Sequence, residues 1–383
     1  MHVAFVSPHD ARDVRSWSGI PYYMVQALKR RVSRVSLISP LPVPRSVQQA
    51  RRALGHRLRG ERYQRHHTEE AGRVMGAEVD RRLADLRPDA VFAPSTLPFS
   101  FVETDLPIAT WTDATFESNL EFYGGYADLP EAFVAEANAV EARAMERIDA
   151  ACFAADYAAR SARHHYGRAA DSVHTVPFGA NLGTVPDAHA VETAIAERPT
   201  DRCRLLFLGA GWYRKGGDVA VQVVERLRAA GFDARLAVAG PPDLPGADAH
   251  PAVEPLGFIS KATPEGRARF DRLLLESTFL ILPSRVEAFG CVFCEASAYG
   301  LPSLATAVGG IPTAVEDGVN GRLFPARPDP AAIAEAVAGL LRDGDAYRAL
   351  CRSARARFEA ELNWDVGVGR VLDALAASPR ARR

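Results

Sequence analysis

An α/β fold made of two doubly wound parallel-sheet domains is predicted by three observations. Short runs of apolar residues, four to six long, recur along the chain and read as strands buried on both faces. Helical patterns stand between them, so consecutive strands lie parallel with helices covering the sheet. The series restarts after a stretch that lacks a period, between Gly183 and Arg202. A chain of 383 residues with 48% hydrophobic content can bury two cores of ordinary size.

The elements follow in order. His2-Val-Ala-Phe-Val is a buried-strand pattern ended by Ser7-Pro8, and a loop leads to Ser18-Gly19-Ile20-Pro21, where proline suits the first turn of a helix. Apolar runs at Val35 to Ile38, Ala90 to Ala93, Pro107 to Thr110, Ala151 to Ala154 and Val173 to Val176 alternate with helices such as Glu131 to Arg147. Gly183 to Arg202 is read as the link between domains. The second series has strands at Arg204 to Leu208, Arg235 to Val238, Thr278 to Leu282, Pro302 to Thr306 and Gly321 to Phe324. Its helices are expected at Gly217 to Ala230, Ala331 to Leu341 and Tyr347 to Leu362. Two such domains facing each other would form a cleft at the carboxyl ends of their strands, where open α/β sheets bind ligands.

Composition narrows the function. A formal net charge of −1 argues against a nucleic-acid partner held by bulk positive charge. One local exception is the stretch from Arg45 to Arg65, with seven arginines and a single acid, Glu61, beside Leu54, Leu58 and Tyr63. It is either a solvated face or a surface for an anionic acceptor or lipid. Five cysteines and the absence of an apolar leader at the first residues point to a reducing, cytoplasmic setting. No run approaches the length needed to span a bilayer, so any membrane contact would be peripheral.

The most informative segment is Phe279-Leu-Ile-Leu-Pro-Ser-Arg-Val-Glu-Ala-Phe-Gly-Cys-Val-Phe-Cys-Glu, followed by Val308-Gly-Gly-Ile-Pro. A strand ends at Pro283, Glu287 follows in a loop, Gly290 frees the backbone before a helix, and Glu295 lies on that helix. Carboxylates can grip hydroxyls while a helix N-terminus receives phosphate, which suits a nucleotide sugar. The alternative is a pair of exposed glutamates with Arg285 bound to one of them.

Glu287-Ala-Phe-Gly-Cys-Val-Phe-Cys-Glu295 resembles the Glu-x7-Glu signature of the retaining family 4 (group 1) glycosyltransferases. Leu282-Pro-Ser-Arg, Glu295-Ala-Ser-Ala-Tyr-Gly-Leu-Pro, Gly309-Gly-Ile-Pro and Asp317-Gly-Val-Asn-Gly extend the similarity. The resemblance implies a GT-B fold of two Rossmann-like domains facing an interdomain cleft. An acceptor-binding domain would cover residues 1–182 and a nucleotide-sugar-binding domain 203–362, with a helix at 363–378 crossing back onto the first. By the same resemblance Glu287 holds donor-sugar hydroxyls, the backbone of Phe289, Gly290 and Cys291 meets the diphosphate and sugar, and Glu295 holds the ribose.

A second constellation, Phe207-Leu-Gly-Ala-Gly-Trp-Tyr-Arg-Lys-Gly-Gly, runs from a strand into a basic pair. It lacks the third glycine of a dinucleotide loop and the Gly-Lys-Ser/Thr of a Walker motif. Cations here would offset charge developing on a departing diphosphate, an effect commonly worth about 3 kcal/mol per contact. Lys215 matches the family lysine. The family's arginine often stands right after the strand glycine, where this chain has Ala210, so Arg214 either reaches the phosphate from another position or is solvent-exposed. Lysine is scarce: Lys29, Lys215 and Lys261 stand against 43 arginines, 46 basic residues less three. A compact ammonium is favoured at two of those places. Lys261, in Gly257-Phe-Ile-Ser-Lys, falls in what resembles the nucleobase loop, with the backbone near Ile259 reading the base; the plain alternative is an exposed loop lysine.

In the first half, Gly19 either frees backbone amides for a phosphate, as the family's glycine loop does, or simply makes a turn. Asp113, in Thr110-Trp-Thr-Asp-Ala-Thr-Phe, stands where the family often has histidine; it either orients an acceptor hydroxyl or caps the next helix. Asn181, after Phe178-Gly-Ala, either touches the sugar or closes the hinge. Cys291-x-x-Cys294 has no second pair for zinc and reads as the start of a packed helix. In Asp343-Gly-Asp345 the second aspartate is expected to cap a helix. His66-His67 and His164-His165 show no metal partner at ligand spacing.

The expected protein is therefore a retaining glycosyltransferase without metal or cofactor, moving a sugar from a nucleotide sugar to a hydroxyl acceptor to give an α-linked product. The acceptor class ranges over cell-surface polysaccharide, lipid-linked sugar and secondary metabolite. Rival readings are an epimerase of the same fold and an inactive nucleotide-sugar-binding module.

Overall fold

The computed structural model describes residues 1–43, 46–58, 60, 62–120, 123–126, 128–247 and 250–382, with residues 47–49 by their backbone alone. Arg45, Arg59 and Glu61 of the arginine-rich stretch thus lie outside the described residues. The chain divides into two units, one of Met1–Pro177 with Trp364–Arg383, the other Phe178–Asn363.

In the first unit the strands are β1 (His2–Val6), β2 (Arg34–Ile38), β3 (Ala90–Ala93), β4 (Ile108–Thr112), β5 (Ala150–Phe153) and β6 (Val173–Thr175). All pair in parallel, in the order β2-β1-β3-β4-β5-β6. Every residue of β3, β4 and β5 is buried, which is why these strands are unbroken apolar runs with no alternating pattern. Helices α1 (Ile20–Arg31), α2 (Val47–Leu58), α3 (Glu69–Leu86), α4 (Phe116–Leu120), α5 (Glu131–Arg147) and α6 (Asp156–His165) connect them. The start of α1 follows from its sequence: Gly19 takes the left-handed N-cap position and Pro21 stands in the first turn. Thr68 caps α3 by accepting from the Ala71 amide at 3.2 Å.

The terminal helix, Trp364–Ala377, packs on α1 and β4. Trp111 on β4 is fully buried, meets the Trp364 ring at 5.3 Å and donates its indole N–H to the Val176 carbonyl at 2.7 Å. Removing so large a buried ring costs about 3–5 kcal/mol.

The second unit has β7 (Arg202–Leu208), β8 (Asp233–Ala239), β9 (Val253–Gly257), β10 (Phe279–Leu282), β11 (Ser303–Thr306) and β12 (Gly321–Phe324). Their order, β12-β11-β10-β7-β8-β9, is parallel throughout. Counted from its own first strand this is the 3-2-1-4-5-6 order of dinucleotide-binding folds, with the reversal between β7 and β10. Its helices are α7 (Ala188–Glu197), α8 (Gly217–Ala229), α9 (Pro264–Glu276), α10 (Cys291–Ala298), α11 (Ile311–Ala314), α12 (Pro330–Arg342) and α13 (Gly344–Ala360).

Two local expectations are corrected. Gly183 to Arg202 is no plain link: α7 lies within it, capped by Asp187 through the Ala190 amide at 3.2 Å and buried through Val191 and Ile195. Just after it, the buried Arg198 guanidinium donates to the carbonyls of Leu274, Leu275, Tyr299 and Gly300. A cation thus closes the C-terminal ends of α9 and α10, where unsatisfied carbonyls carry partial negative charge. The cap of α13 is Asp343, which accepts from the Ala346 amide at 3.0 Å, and not Asp345, because the helix begins one residue after Asp343.

Candidate active site

The site of the second unit is built on the two loops that leave β7 and β10, at the reversal of strand order. There neighbouring connections depart to opposite faces of the sheet and open a crevice at the carboxyl ends. The loops are stitched together by their backbones: the Arg285 amide donates to the Arg214 carbonyl at 2.8 Å, and the Arg214 guanidinium donates to the Val286 carbonyl at 2.9 Å.

Lys215 and Glu287 meet here. The Lys215 ammonium donates to Oε2 of Glu287 at 2.7 Å, with side chains only 10% and 11% exposed. Arg214, 39% exposed, approaches the same oxygen at 3.5 Å. Gly209 makes this possible: its φ is +147°, and a Cβ there would lie 2.5 Å from Cδ of Lys215. The lysine stem therefore lies across the bare backbone at the end of β7. Two cations around one carboxylate leave the group with an excess positive charge, the polarity a diphosphate requires.

The second carboxylate has its own lysine. Lys261 donates to Oε1 of Glu295 at 2.7 Å and to the Asn181 carbonyl at 3.1 Å, and stands 4.9 Å from the centre of the Phe270 ring. Glu295 is buried on α10. Between the two carboxylates, Gly290 takes the left-handed N-cap position of α10 and, as a glycine, contributes no side-chain cap to its first turn. A Cβ on Gly290 would lie 2.8 Å from the Phe293 ring and 3.3 Å from Cγ of Glu287. The Glu287 carbonyl accepts from the Gly310 amide at 3.1 Å, which ties in the Gly309-Gly310-Ile311-Pro312 turn.

The reading of two exposed glutamates fails on this geometry. Both are buried, and Arg285 binds elsewhere: its guanidinium makes a two-pronged contact to Asp218 on α8 at 2.9 and 2.7 Å and lies over the Tyr213 ring at 3.9 Å. Asp218 and Tyr213 were not singled out from the sequence; an acid in the first turn of α8 facing a basic loop was the available signal. Phe289 is buried against Phe178 at 5.4 Å, Cys291 is half-buried, and Ile259 is half-buried beside an exposed Phe258. Asn181 is buried, and its carbonyl belongs to the Lys261–Glu295 group.

In the first unit, Gly19 follows two further left-handed residues, Trp17 and Ser18, in the loop after β1. Asp113 lies just past β4, its carbonyl accepting from the Tyr157 hydroxyl at 3.1 Å. The cap of α4 is Thr115, not Asp113: Oγ1 of Thr115 accepts from the Ser118 amide at 3.1 Å while Oγ of Ser118 accepts from the Thr115 amide at 2.9 Å. Nearby, Glu141 is buried and, among the described residues, has no cation partner, accepting from Thr96 at 3.1 Å and from the Phe116 amide at 3.0 Å. Burial pushes its carboxyl up to about 7. Burial, then the charges of Glu141 and Asp113, push the Tyr126 hydroxyl up to about 12. Among the described residues no three His, Cys, Asp or Glu side chains converge as a metal site.

Residues 202–343 match the family description "Glycosyl transferases group 1". The D-inositol 3-phosphate glycosyltransferase of Xylanimonas cellulosilytica is 34% identical over 235 residues, covering 57% of this chain and 54% of that protein. That of Mycobacterium marinum is 33% identical over 202 residues, covering 51% and 41%. The chain thus spans about half the length of the curated relatives it matches. Among solved structures, sucrose-phosphate synthase from Thermosynechococcus elongatus superposes with a TM-score of 0.66 at 18% identity, covering 98% of this chain and all (100%) of that one. HepE of Anabaena, solved in complex with UDP, gives 0.65 at 14% identity and the same coverage, 98% and 100%. With two six-stranded parallel sheets flanked by helices, the fold is that of the GT-B glycosyltransferases.

Proposed function

We propose that this chain, whose residues 202–343 form a group 1 glycosyltransferase domain, moves a sugar from a nucleotide sugar to a hydroxyl acceptor with retention, giving an α-linked product. The observation that carries the reading is the pairing of both buried carboxylates with lysines, Lys215–Glu287 and Lys261–Glu295, on either side of the uncapped start of α10.

In this reading the diphosphate sits against Lys215 and Arg214 and the backbone of Phe289 to Cys291. Glu287 holds sugar hydroxyls through its second oxygen, Glu295 holds the ribose, and the backbone near Ile259 meets the base. The bond from the anomeric carbon to the diphosphate breaks and the acceptor oxygen bonds to that carbon from the same face. The acceptor proton passes to the departing phosphate oxygen. Lys215 and Arg214 lower the barrier because they already stand where negative charge develops. Within the first unit, Asp113 is assigned to an acceptor hydroxyl and the Gly19 loop to a phosphate. No metal or organic cofactor takes part.

The UDP bound to HepE and the relatives' printed name supply the first compounds to test, UDP-sugars and inositol phosphates. Any membrane contact is proposed to be peripheral. No described helix is long and apolar enough to cross a bilayer, while Leu54 and Leu58 stand exposed on α2 beside Arg51 and Arg57.

The deciding experiment incubates the protein with a nucleotide-sugar panel, with and without hydroxyl acceptors, and reads product anomers by NMR. An α-linked product that appears only with acceptor is expected. Conversion of the donor alone to an epimer, or a β-linked product, would overturn the reading.

A further inference from the structure

The first turn of α10 holds two thiols that the glycosyl-transfer reading leaves unused. Cys291 is its first residue and is half-buried; Cys294 is fully buried, with its Sγ–H donating to the Phe178 carbonyl at 3.4 Å. Residues three apart on an α-helix have Cα atoms about 5 Å apart, from the rise and radius of the helix. That lies inside the window of about 4.4–6.8 Å that a disulfide spans. An accessible cysteine at the first position of a helix after a parallel strand, with a buried one three residues on, is the arrangement of dithiol exchange sites.

We propose that Cys291 and Cys294 form a thiol–disulfide exchange site that disables the donor clamp when oxidised. The oxidant class is a disulfide. The Cys291 thiolate attacks one sulfur of the oxidant, forming a mixed disulfide and releasing one thiol. Cys294 then attacks the Cys291 sulfur, its proton passing to the second thiolate as that leaves. The protein gives up two protons and two electrons, and the oxidant becomes two thiols. Cys152, Cys203 and Cys351 are buried as Cys294 is, and burial pushes all four thiols up, so Cys291, the one part-exposed cysteine of the five, opens the exchange and Cys294 alone stands three residues from it.

The consequence follows from what the sulfurs touch. Turning Cys294 toward Cys291 breaks its bond to the Phe178 carbonyl, and the Phe178 ring packs on Phe289 at 5.4 Å. Phe289, Gly290 and Cys291 form the backbone assigned above to the diphosphate, between Glu287 and Glu295. Oxidation thus strains the segment that must stay open for the donor; this consequence rests on the donor reading, whereas the exchange chemistry does not.

The native protein is incubated with glutathione disulfide and digested with trypsin. The peptide spanning residues 286–322 contains only these two cysteines. Its mass is expected to fall by two hydrogens and to be restored by dithiothreitol, while Cys152, Cys203 and Cys351 stay reduced. UDP or GDP binding, measured by calorimetry before and after oxidation, is expected to weaken at least about tenfold, the equivalent of ~1.4 kcal/mol. Cys294→Ala should instead retain a glutathione adduct on Cys291. Two reduced thiols under excess oxidant, or a disulfide that forms and leaves nucleotide affinity unchanged, would each overturn the proposal. If the reduced protein binds neither nucleotide, the donor reading and the proposed effect on it both fall, while the peptide mass still decides the exchange site.

Discussion

Replacing Lys215 by methionine removes the ammonium from a carboxylate that is almost out of solvent. At 2.7 Å the gross attraction is 332/(20 × 2.7), about 6 kcal/mol at an effective dielectric constant near 20. Desolvating both ions returns several kcal/mol, leaving a net coupling of about 2–3 kcal/mol. Arg214 at 3.5 Å softens the loss in the single variant, because Glu287 keeps one partly exposed cation. Lys215→Met should therefore lower the melting temperature of the second unit by roughly 4–12 °C, at about 2–4 °C per kcal/mol for a unit of this size. A double-mutant cycle with Glu287→Gln isolates the pair. Thermal unfolding of wild type, both singles and the double should give a coupling above about 1.5 kcal/mol. Effects that simply add, within about 0.5 kcal/mol, would refute the argument that the two side chains form one buried unit.

Other substitutions probe neighbouring parts. Glu295→Gln keeps the shape but removes the charge that Lys261 holds; with Glu295 on the ribose as proposed, nucleotide-sugar KM should rise roughly tenfold with kcat little changed, because such a contact is the same in ground and transition states. Gly290→Ala forces a side chain into the left-handed region, at about 1–2 kcal/mol, and drives its Cβ to 2.8 Å from Phe293. Donor binding should disappear in calorimetry while far-ultraviolet circular dichroism stays at the wild-type level.

Glu141 makes the first unit pH-sensitive. Its folded-state carboxyl is raised to about 7 from an ordinary 4.5, so the folded state favours the proton. That contribution is fully present below pH 4.5 and is lost as pH rises through about 7. The swing is about 3 kcal/mol. Glu141→Gln should flatten this part of a melting-temperature profile between pH 5 and 8; an unchanged slope would remove Glu141 as its source.

Much of the second unit's candidate site was legible because its residues lie close together in sequence. The run from Phe279 to Glu295 contains its own strand, loop, glycine and helix, so Glu287 and Glu295 could be placed from spacing and neighbours alone. The partners were not legible, because Lys215 reaches Glu287 only once β7 lies beside β10, 72 residues away in sequence. The same limit hid Arg285–Asp218. Helix α7 escaped notice because only Val191 and Ile195 are buried in ten residues, too few to set a period. What holds that segment is Arg198, whose carbonyl partners come from two other helices. At Asp343-Gly-Asp345, two aspartates stand near one helix start, and only the bond to the Ala346 amide shows which one caps it. Asp113 lost its capping role for the same reason: Thr115 and Ser118 close that helix reciprocally.

The central claim is that Lys215, with Arg214 beside it, holds the diphosphate of a nucleotide sugar. Calorimetric titration of wild type and Lys215→Ala with UDP and UDP-glucose, then with GDP, ADP and TDP, tests it directly. Wild type should bind at least one nucleotide, with the Lys215→Ala affinity at least about tenfold weaker. Equal affinities in the two proteins, or no binding across the panel, would contradict it.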